Sequence, residues 1–202
     1  MSRRLQDEAG VANGKSAIDR LVRDVAEARE RFLDAVGTPS TAQAELHPEP
    51  GAWSITENVE HITLAEQVGI NGMWRALEGI RTGRPVWTGD PIHRGRPIEE
   101  VIASTWKERE EVPAIAAPRW GGPLAFWTAA LRSCQPLLEA LGEELARAES
   151  QGITLNDIVY PHPISGPLDA RQRLSFLRFH LDRHRAQVMR LKQHAPFASN
   201  EK

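Results

Sequence analysis

The sequence predicts an all-α protein, specifically a four-helix bundle with a long irregular connection between its second and third helices. Four long segments repeat apolar residues at intervals of three and four, which is the spacing of one face of a helix. Two segments rich in glycine and proline interrupt this pattern. Of the 202 residues, 41% are hydrophobic and 26% are charged, as is typical of a soluble globular domain. We therefore expect a single domain over residues 1–202.

The first predicted helix covers about residues 16–36. Its apolar residues lie on one face and its acidic residues on the other, as in a helix that is exposed on one side. The sequence Gly37-Thr38-Pro39 ends the pattern, because glycine and proline commonly follow a helix. The buried face is predicted to consist of Ile18, Val22, Val25, Phe32 and Val36.

The second predicted helix covers about residues 54–80 and has the clearest start in the sequence. Ser54 and Glu57 are spaced as a capping box, in which each side chain accepts a hydrogen bond from the backbone N–H of the other residue. Its buried face is predicted to consist of Ile55, Val59, Ile62, Gly69, Met73 and Ile80.

The third and fourth predicted helices cover about residues 123–146 and 169–192. Their alternating three- and four-residue spacings are typical of helices that cross at a small angle in a bundle. Asp169 is expected to cap the fourth helix. The buried faces are predicted to be Leu124, Trp127, Leu131, Cys134, Leu138, Leu141 and Leu145, and Leu174, Leu177, Leu181, His184, Val188 and Leu191.

Two connections carry no long helical pattern. Residues 81–122 are rich in glycine, proline and tryptophan, with a short helix predicted over about residues 98–111. Residues 150–167 are predicted to form a turn or a strand-like segment. Long connections commonly build the walls of a binding site on a rigid scaffold, so we expect such walls here.

Composition argues against several classes of protein. With 25 basic and 27 acidic residues the net charge is −2, which does not favour nucleic-acid binding. No stretch approaches the roughly 18 apolar residues of a membrane helix, and no secretory leader is visible. Cys134 is the single cysteine, so no intrachain disulfide can form. We expect a cytoplasmic protein that acts on a small molecule, and the remaining apolar positions are compatible with a homodimer.

Two histidines of the fourth helix have the spacing of metal ligands. His180 and His184 are four residues apart, so their rings project from one side of the helix, one turn apart. His61, on the border of the apolar face of the second helix, can bring a third imidazole to them. Three imidazoles with open positions are typical of catalytic metal sites. The alternative is histidines at the edge of the core that bond to carboxylates or water.

Two charged residues have two interpretations each. Glu66 lies on the apolar face of the second helix, where it would act as a base toward a metal-bound water or, as we favour, pair with an arginine of another helix. Arg173 shares a face with His180 and would bind an anionic substrate. For Arg173 we favour the ordinary interpretation, a solvated arginine in the first turn of a helix.

Three segments together resemble a known family. They are Trp53-Ser54 with Glu57-Asn58-Val59-Glu60-His61-Ile62, then Pro161-His162-Pro163-Ile164-Ser165-Gly166-Pro167-Leu168, then His180-Leu181-Asp182-Arg183-His184-Arg185-Ala186-Gln187. In this order they resemble the DinB-like (YfiT-like) proteins, over most of residues 21–192. The third segment is similar to the H-x-x-R-H-x-x-Q motif of that family.

The resemblance implies a four-helix bundle that holds a divalent metal ion, commonly nickel or zinc, with three histidines. The matching ligands are His61, His180 and His184, and the motif makes Arg183 and Gln187 supporting residues around them. Members are described as metal-dependent hydrolases, and some relatives transfer a low-molecular-weight thiol, which would then be a second cofactor. The alternative is a bundle that binds a metal or a small molecule without catalysis.

Overall fold

A computed structural model describes residues 2–107 and 111–193, with side chains from residue 17 onward. The described part is mostly helical and has one small two-stranded sheet, which confirms the predicted helical class. Its elements are α1 (Ser2–Val36), α2 (Thr41–Ala44), α3 (Ile55–Arg81), α4 (Ile98–Thr105), α5 (Leu124–Ser150), β1 (Val159–His162), β2 (Gly166–Asp169) and α6 (Ala170–Leu191). In the described ranges, none of the helices combines the length and the apolar character needed to cross a membrane.

The two helices that carry the candidate ligands, α3 and α6, both begin at the predicted residues. Ser54 Oγ accepts from the Glu57 backbone N–H at 3.2 Å, and the Glu57 carboxylate accepts from the Ser54 N–H at 2.8 Å. Asp169 and Gln172 form a second capping box, at 2.9 and 3.1 Å. Because each box satisfies backbone N–H groups that a helix leaves unpaired, it fixes where the helix starts.

The outer ends of α1 and α5 differ from the prediction. The first helix begins at Ser2 rather than near residue 16, because residues 2–15 contain no proline and many helix-favouring residues. The fifth continues to Ser150 rather than 146, since its last turn buries Ala148 against the core. It ends just before Gly152, whose φ of +88° is readily adopted only by glycine.

The short helix α4 is confirmed but ends earlier than predicted. It stops at Thr105 because Trp106 adopts an extended backbone, with φ −97° and ψ 146°. Residues 108–110 of the predicted helix lie outside the described residues.

The main hydrophobic core lies among the four long helices. Helices α1 and α3 each contact both α5 and α6. Nearly all the apolar residues of the predicted faces are buried there, with Leu124 and Ile80 only partly buried. Apolar periodicity therefore predicts the core well, because burial of one face of each helix is the main favourable contribution to folding.

A β-hairpin fills the connection before α6, where a turn or strand-like segment was predicted. Strands β1 and β2 are antiparallel, with Val159 opposite Asp169. The hairpin packs so closely on α3 that a Cβ atom at Gly72 would lie 2.3 Å from the Tyr160 ring. Asp169 is both the last residue of β2 and the cap of α6, so the hairpin and that helix are joined without a linker.

Candidate metal centre

Three histidines meet between α3 and α6. His61 comes from α3, and His180 and His184 come from α6. Their candidate ligand nitrogens all lie within 4.8 Å of one another, and the three residues are buried. The Nε2 atoms of His61 and His180 are 3.2 Å apart. The structure thus brings together the three residues that the sequence singled out as metal ligands.

Two of the three rings are oriented by hydrogen bonds from Nδ1. His61 Nδ1–H donates to the carbonyl oxygen of Ala116 at 2.7 Å, and His184 Nδ1–H donates to Asn58 Oδ1 at 2.9 Å. Asn58 Nδ2 in turn donates to the Ser54 carbonyl at 2.8 Å, which leaves its Oδ1 free to accept. With the proton on Nδ1, each of these two rings keeps a lone pair on Nε2, as in metal-binding histidines.

Glu60 anchors the loop that carries Ala116. Its buried carboxylate accepts hydrogen bonds from three consecutive backbone N–H groups, at 2.7, 2.9 and 3.1 Å, from Arg119, Trp120 and Gly121. Glu60 also directly precedes His61 on α3. The long connection between α3 and α5 is therefore fixed beside the ligand that it helps to orient.

All three rings are neutral at pH 7. Burial lowers the pKa of His61 to about 4, although its hydrogen bond to Ala116 acts in the opposite direction. Burial first, and then the charge of neighbouring rings and of Arg183, lowers the pKa of His180 and His184 well below the usual value. Neutral imidazole is the form that binds a metal ion.

A cavity of about 760 Å³ lies beside the histidines. Its walls combine apolar and polar side chains, and aromatic rings pack on the candidate ligands. Trp53 lies 4.8 Å from the His61 ring between centroids, and Phe176 stacks on His180 at 5.2 Å. The long connection contributes Trp106 and neighbours of Ala116. A cavity of this size and lining is suited to a small organic molecule.

Arg173 lines this cavity and is buried, with only 3% of its surface exposed. The expectation of a solvated arginine was wrong, because the side chain lies under the hairpin, with its guanidinium carbon 5.3 Å from the Tyr160 ring centroid. Among the described residues it has no hydrogen bond and no ion pair, and its Nε and Nη1 atoms are buried without a partner. Burial lowers the pKa of Arg173 to about 10, so it stays charged at neutral pH.

His162, in the hairpin, also lines the cavity. Its Nδ1 accepts hydrogen bonds from the backbone N–H groups of Ile164 and Ser165, at 3.2 and 3.1 Å. The proton of the neutral ring therefore lies on Nε2. Burial, together with the charge of Arg173, lowers the pKa of His162 to about 3, so the ring is a neutral donor at pH 7.

Glu66, the candidate base, is placed elsewhere. Its Oε2, on α3, accepts from Nε of Arg29 on α1 at 3.1 Å and from Nη2 at 2.7 Å. Arg29 also donates to Gln135 of α5. Glu66 is not among the residues that line the cavity. The structure therefore has the ion pair that the sequence favoured for Glu66.

The two predicted supporting residues, Arg183 and Gln187, both line the cavity. The guanidinium of Arg183 lies 5.2 Å from the centroid of the Trp106 ring. Its positive charge is one of the causes that lower the pKa of His180 and His184. Arg183 thus acts on the candidate ligands through charge.

Sequence reasoning gave no role to Asn58, Glu60, Ala116 or His162. For Asn58 a signal was present, since it lies three residues before His61 and therefore on the same side of α3. Ala116 contributes a backbone carbonyl, which every residue has, so its role has no signature in the sequence.

Comparison with known proteins gives one family. A family model described as the DinB superfamily matches residues 25–188, a span that includes the three histidines, Arg173 and His162. No curated protein and no solved structure matches the chain significantly.

Proposed function

The chain belongs to the DinB superfamily, and we propose that it is a metal-dependent enzyme that acts on a small molecule. One divalent ion would be held by His61, His180 and His184, with nickel and zinc the expected ions because imidazole suits both. The observation that carries the proposal is the convergence of three buried, neutral imidazoles beside a cavity with room for a substrate.

The donor set fits a catalytic ion better than a structural one. Structural zinc sites have four protein ligands, whereas three imidazoles leave positions open for water and substrate. The bonds of His61 to Ala116 and of His184 to Asn58 support metal binding, since they orient the rings with Nε2 free.

We propose hydrolysis or thiol transfer as the reaction. A bound divalent ion acts as a Lewis acid and lowers the pKa of a water or of a low-molecular-weight thiol, so that either becomes a nucleophile near neutral pH. Within the chain, the three imidazoles would hold the ion, and the rings of Trp53, Trp106 and Phe176 pack against them. The general base is unassigned, because the carboxylate of Glu66 is bound to Arg29.

The cavity favours an enzyme over a binding protein without catalysis. A site closed over the ion by packed side chains would leave no space for a substrate. Here the histidines lie in the wall of a cavity of about 760 Å³. For the fold, we propose that α1, α3, α5 and α6 form the four-helix bundle that the family resemblance implies.

Metal content tests the proposal directly. We expect about one divalent ion per chain of tag-free protein by elemental mass spectrometry, and its loss in His61→Ala and His184→Ala with the circular dichroism unchanged. His47→Ala is the matched control, because His47 is exposed and does not line the cavity. Full occupancy in His184→Ala, or no uptake of nickel or zinc by the unmodified chain, would refute the ligand assignment.

A second measurement separates the two reactions. The metal-loaded protein is incubated with ester and amide substrates alone, and with electrophiles in the presence and absence of a thiol such as cysteine. Turnover that requires the thiol identifies a transferase, and turnover without it identifies a hydrolase. Loss of either activity in His184→Ala, with no loss in His47→Ala, assigns it to the metal site.

A further inference from the structure

We propose that the cavity binds a small organic carboxylate, whose carboxylate group pairs with Arg173 and whose apolar body extends along α6 toward the three histidines. This proposal names the substrate class of the proposed enzyme and rests on the proposed function for the reaction. The binding itself depends only on residues of the cavity.

The first support is the unpaired charge of Arg173. A buried guanidinium without an acceptor is costly, and buried charges in proteins are usually paired. Arg173 has no such partner among the described residues, although it lines the cavity. The rings of Tyr160 and Phe176, 5.3 and 5.9 Å from the guanidinium carbon, stabilise a cation, but neither residue accepts a hydrogen bond from Arg173. A carboxylate in the cavity supplies both the charge and the oxygens.

The second support is His162. Its neutral ring keeps a proton on Nε2, because Nδ1 is occupied by two backbone N–H groups. His162 and Arg173 both line the cavity, and both lie beside Phe176, whose ring centroid is 4.5 Å from the His162 ring and 5.9 Å from the Arg173 guanidinium carbon. Arg173 and His162 therefore offer two donors to an anion in this cavity, one charged and one neutral.

The third support is the spacing along α6. Arg173 and His180 are seven residues apart, so they lie on the same side of the helix, about 10 Å apart along its axis. Phe176 and Leu177 line the cavity between them. A ligand with its carboxylate at Arg173 thus has an apolar middle and places its other end near the three histidines.

Calorimetry with a matched pair of probes tests this proposal. The probes are 4-phenylbutyrate and its neutral amide, 4-phenylbutyramide, which differ in charge but hardly in shape. The metal-loaded protein is expected to bind the carboxylate about tenfold more tightly than the amide. In Arg173→Met that preference disappears, while the affinity for the amide is unchanged. Arg190→Met is the control, because Arg190 lines the cavity but is exposed, and it should leave the preference nearly intact.

Arg173→Lys is a second variant that separates loss of the charge from misfolding. It keeps the charge and should retain part of the preference for the carboxylate. The proposal is overturned if Arg173→Met binds the carboxylate as tightly as the unmodified chain does. It is also overturned if the unmodified chain does not distinguish the two probes, or binds neither at about 10 mM.

Metal content, measured on the same samples, separates the two proposals. A chain without metal that still prefers the carboxylate refutes the metal centre and supports the anion site. A metal-loaded chain without that preference does the reverse.

Discussion

Two arginines of this protein are buried to nearly the same degree but in different surroundings. Arg29 of α1 is 1% exposed and Arg173 of α6 is 3% exposed. Arg29 donates to Glu66 and to Gln135, so three helices contribute to one polar cluster. Arg173 has no hydrogen-bond or ion-pair partner in the part of the chain that the structure describes, and it lines the cavity.

This difference in surroundings indicates a different role for each of the two arginines. The Arg29 guanidinium lies where neighbouring helices supply a carboxylate and an amide oxygen, so its charge is compensated within the fold. Among the described residues, the surroundings of Arg173 supply rings and a cavity but no hydrogen-bonded or ion-paired anion, so its charge is left for a ligand. The sequence alone does not distinguish the two, because both are arginines on the inner side of an amphipathic helix.

The largest expected effect on the free energy of unfolding comes from breaking the ion pair between Arg29 and Glu66. Arg29→Met should lower the free energy of unfolding by about 3–5 kcal/mol, because it leaves the buried Glu66 carboxylate without its partner. Chemical denaturation monitored by circular dichroism measures this change.

The double variant Arg29→Met, Glu66→Leu is the control. It should recover most of the lost stability, since it removes both charges and fills the space with apolar groups. If the double variant is as unstable as Arg29→Met, the loss comes from packing rather than from the uncompensated carboxylate.

A smaller effect per residue is expected from acid, which protonates the buried histidines when the chain unfolds. The pKa of His61 is about 4 in the fold and near 6.5 when unfolded, so between these values the unfolded chain binds more protons. Stability is therefore greatest above about pH 6.5 and falls on acidification, by about 2 kcal/mol at pH 5 from this one residue.

Thermal unfolding of chelator-treated protein at neutral and acid pH measures this loss. His162→Gln should flatten the profile, because the pKa of His162 is also lowered, to about 3. A melting temperature that stays constant between about pH 7 and pH 5 would contradict neutral, buried imidazoles.

The smallest effect is expected at the uncompensated arginine. Arg173→Met should leave the melting temperature of the ligand-free protein unchanged or raise it, by the equivalent of about 1 kcal/mol, because it removes a buried charge that has no partner among the described residues. Differential scanning calorimetry of Arg173→Met and Arg29→Met, measured side by side, tests this difference in stability. A loss as large as that of Arg29→Met would show that Arg173 is compensated within the fold.

Much of the fold could be predicted from local patterns. The capping residues Ser54 and Asp169 lie where expected, and the apolar face predicted for α5 is buried apart from its first residue, Leu124. The α1 start was missed because residues 2–15 lack a strong apolar stripe while still favouring a helix. Apolar periodicity cannot reveal a segment whose helix is propagated from the following residues and kept by helix propensity alone.

The sequence predicted the ligands of the candidate site but not the residues that surround them. His180 and His184 are four apart on one helix, so their pairing is a local property of the sequence. His61 was predicted from its place at the border of the apolar face of α3, and the resemblance to the DinB family implied the same ligand. The carbonyl of Ala116 accepts from His61, and Glu60 binds N–H groups of the same loop a few residues later, although this loop is about 55 to 61 residues further along the chain. Such contacts join residues far apart in the chain, and no spacing rule describes them.

The sequence by itself determined the helical class, the capping of α3 and α6, and the pair of histidines on α6, because each depends on residues within a few positions of one another. Only the tertiary structure decided which polar groups are compensated. It paired Glu66 with Arg29, buried Arg173 with no partner among the described residues, and placed His162 in the wall of the same cavity. The physical reason is that the energy of a buried charge depends on what packs around it, and packing brings together residues that the chain keeps apart.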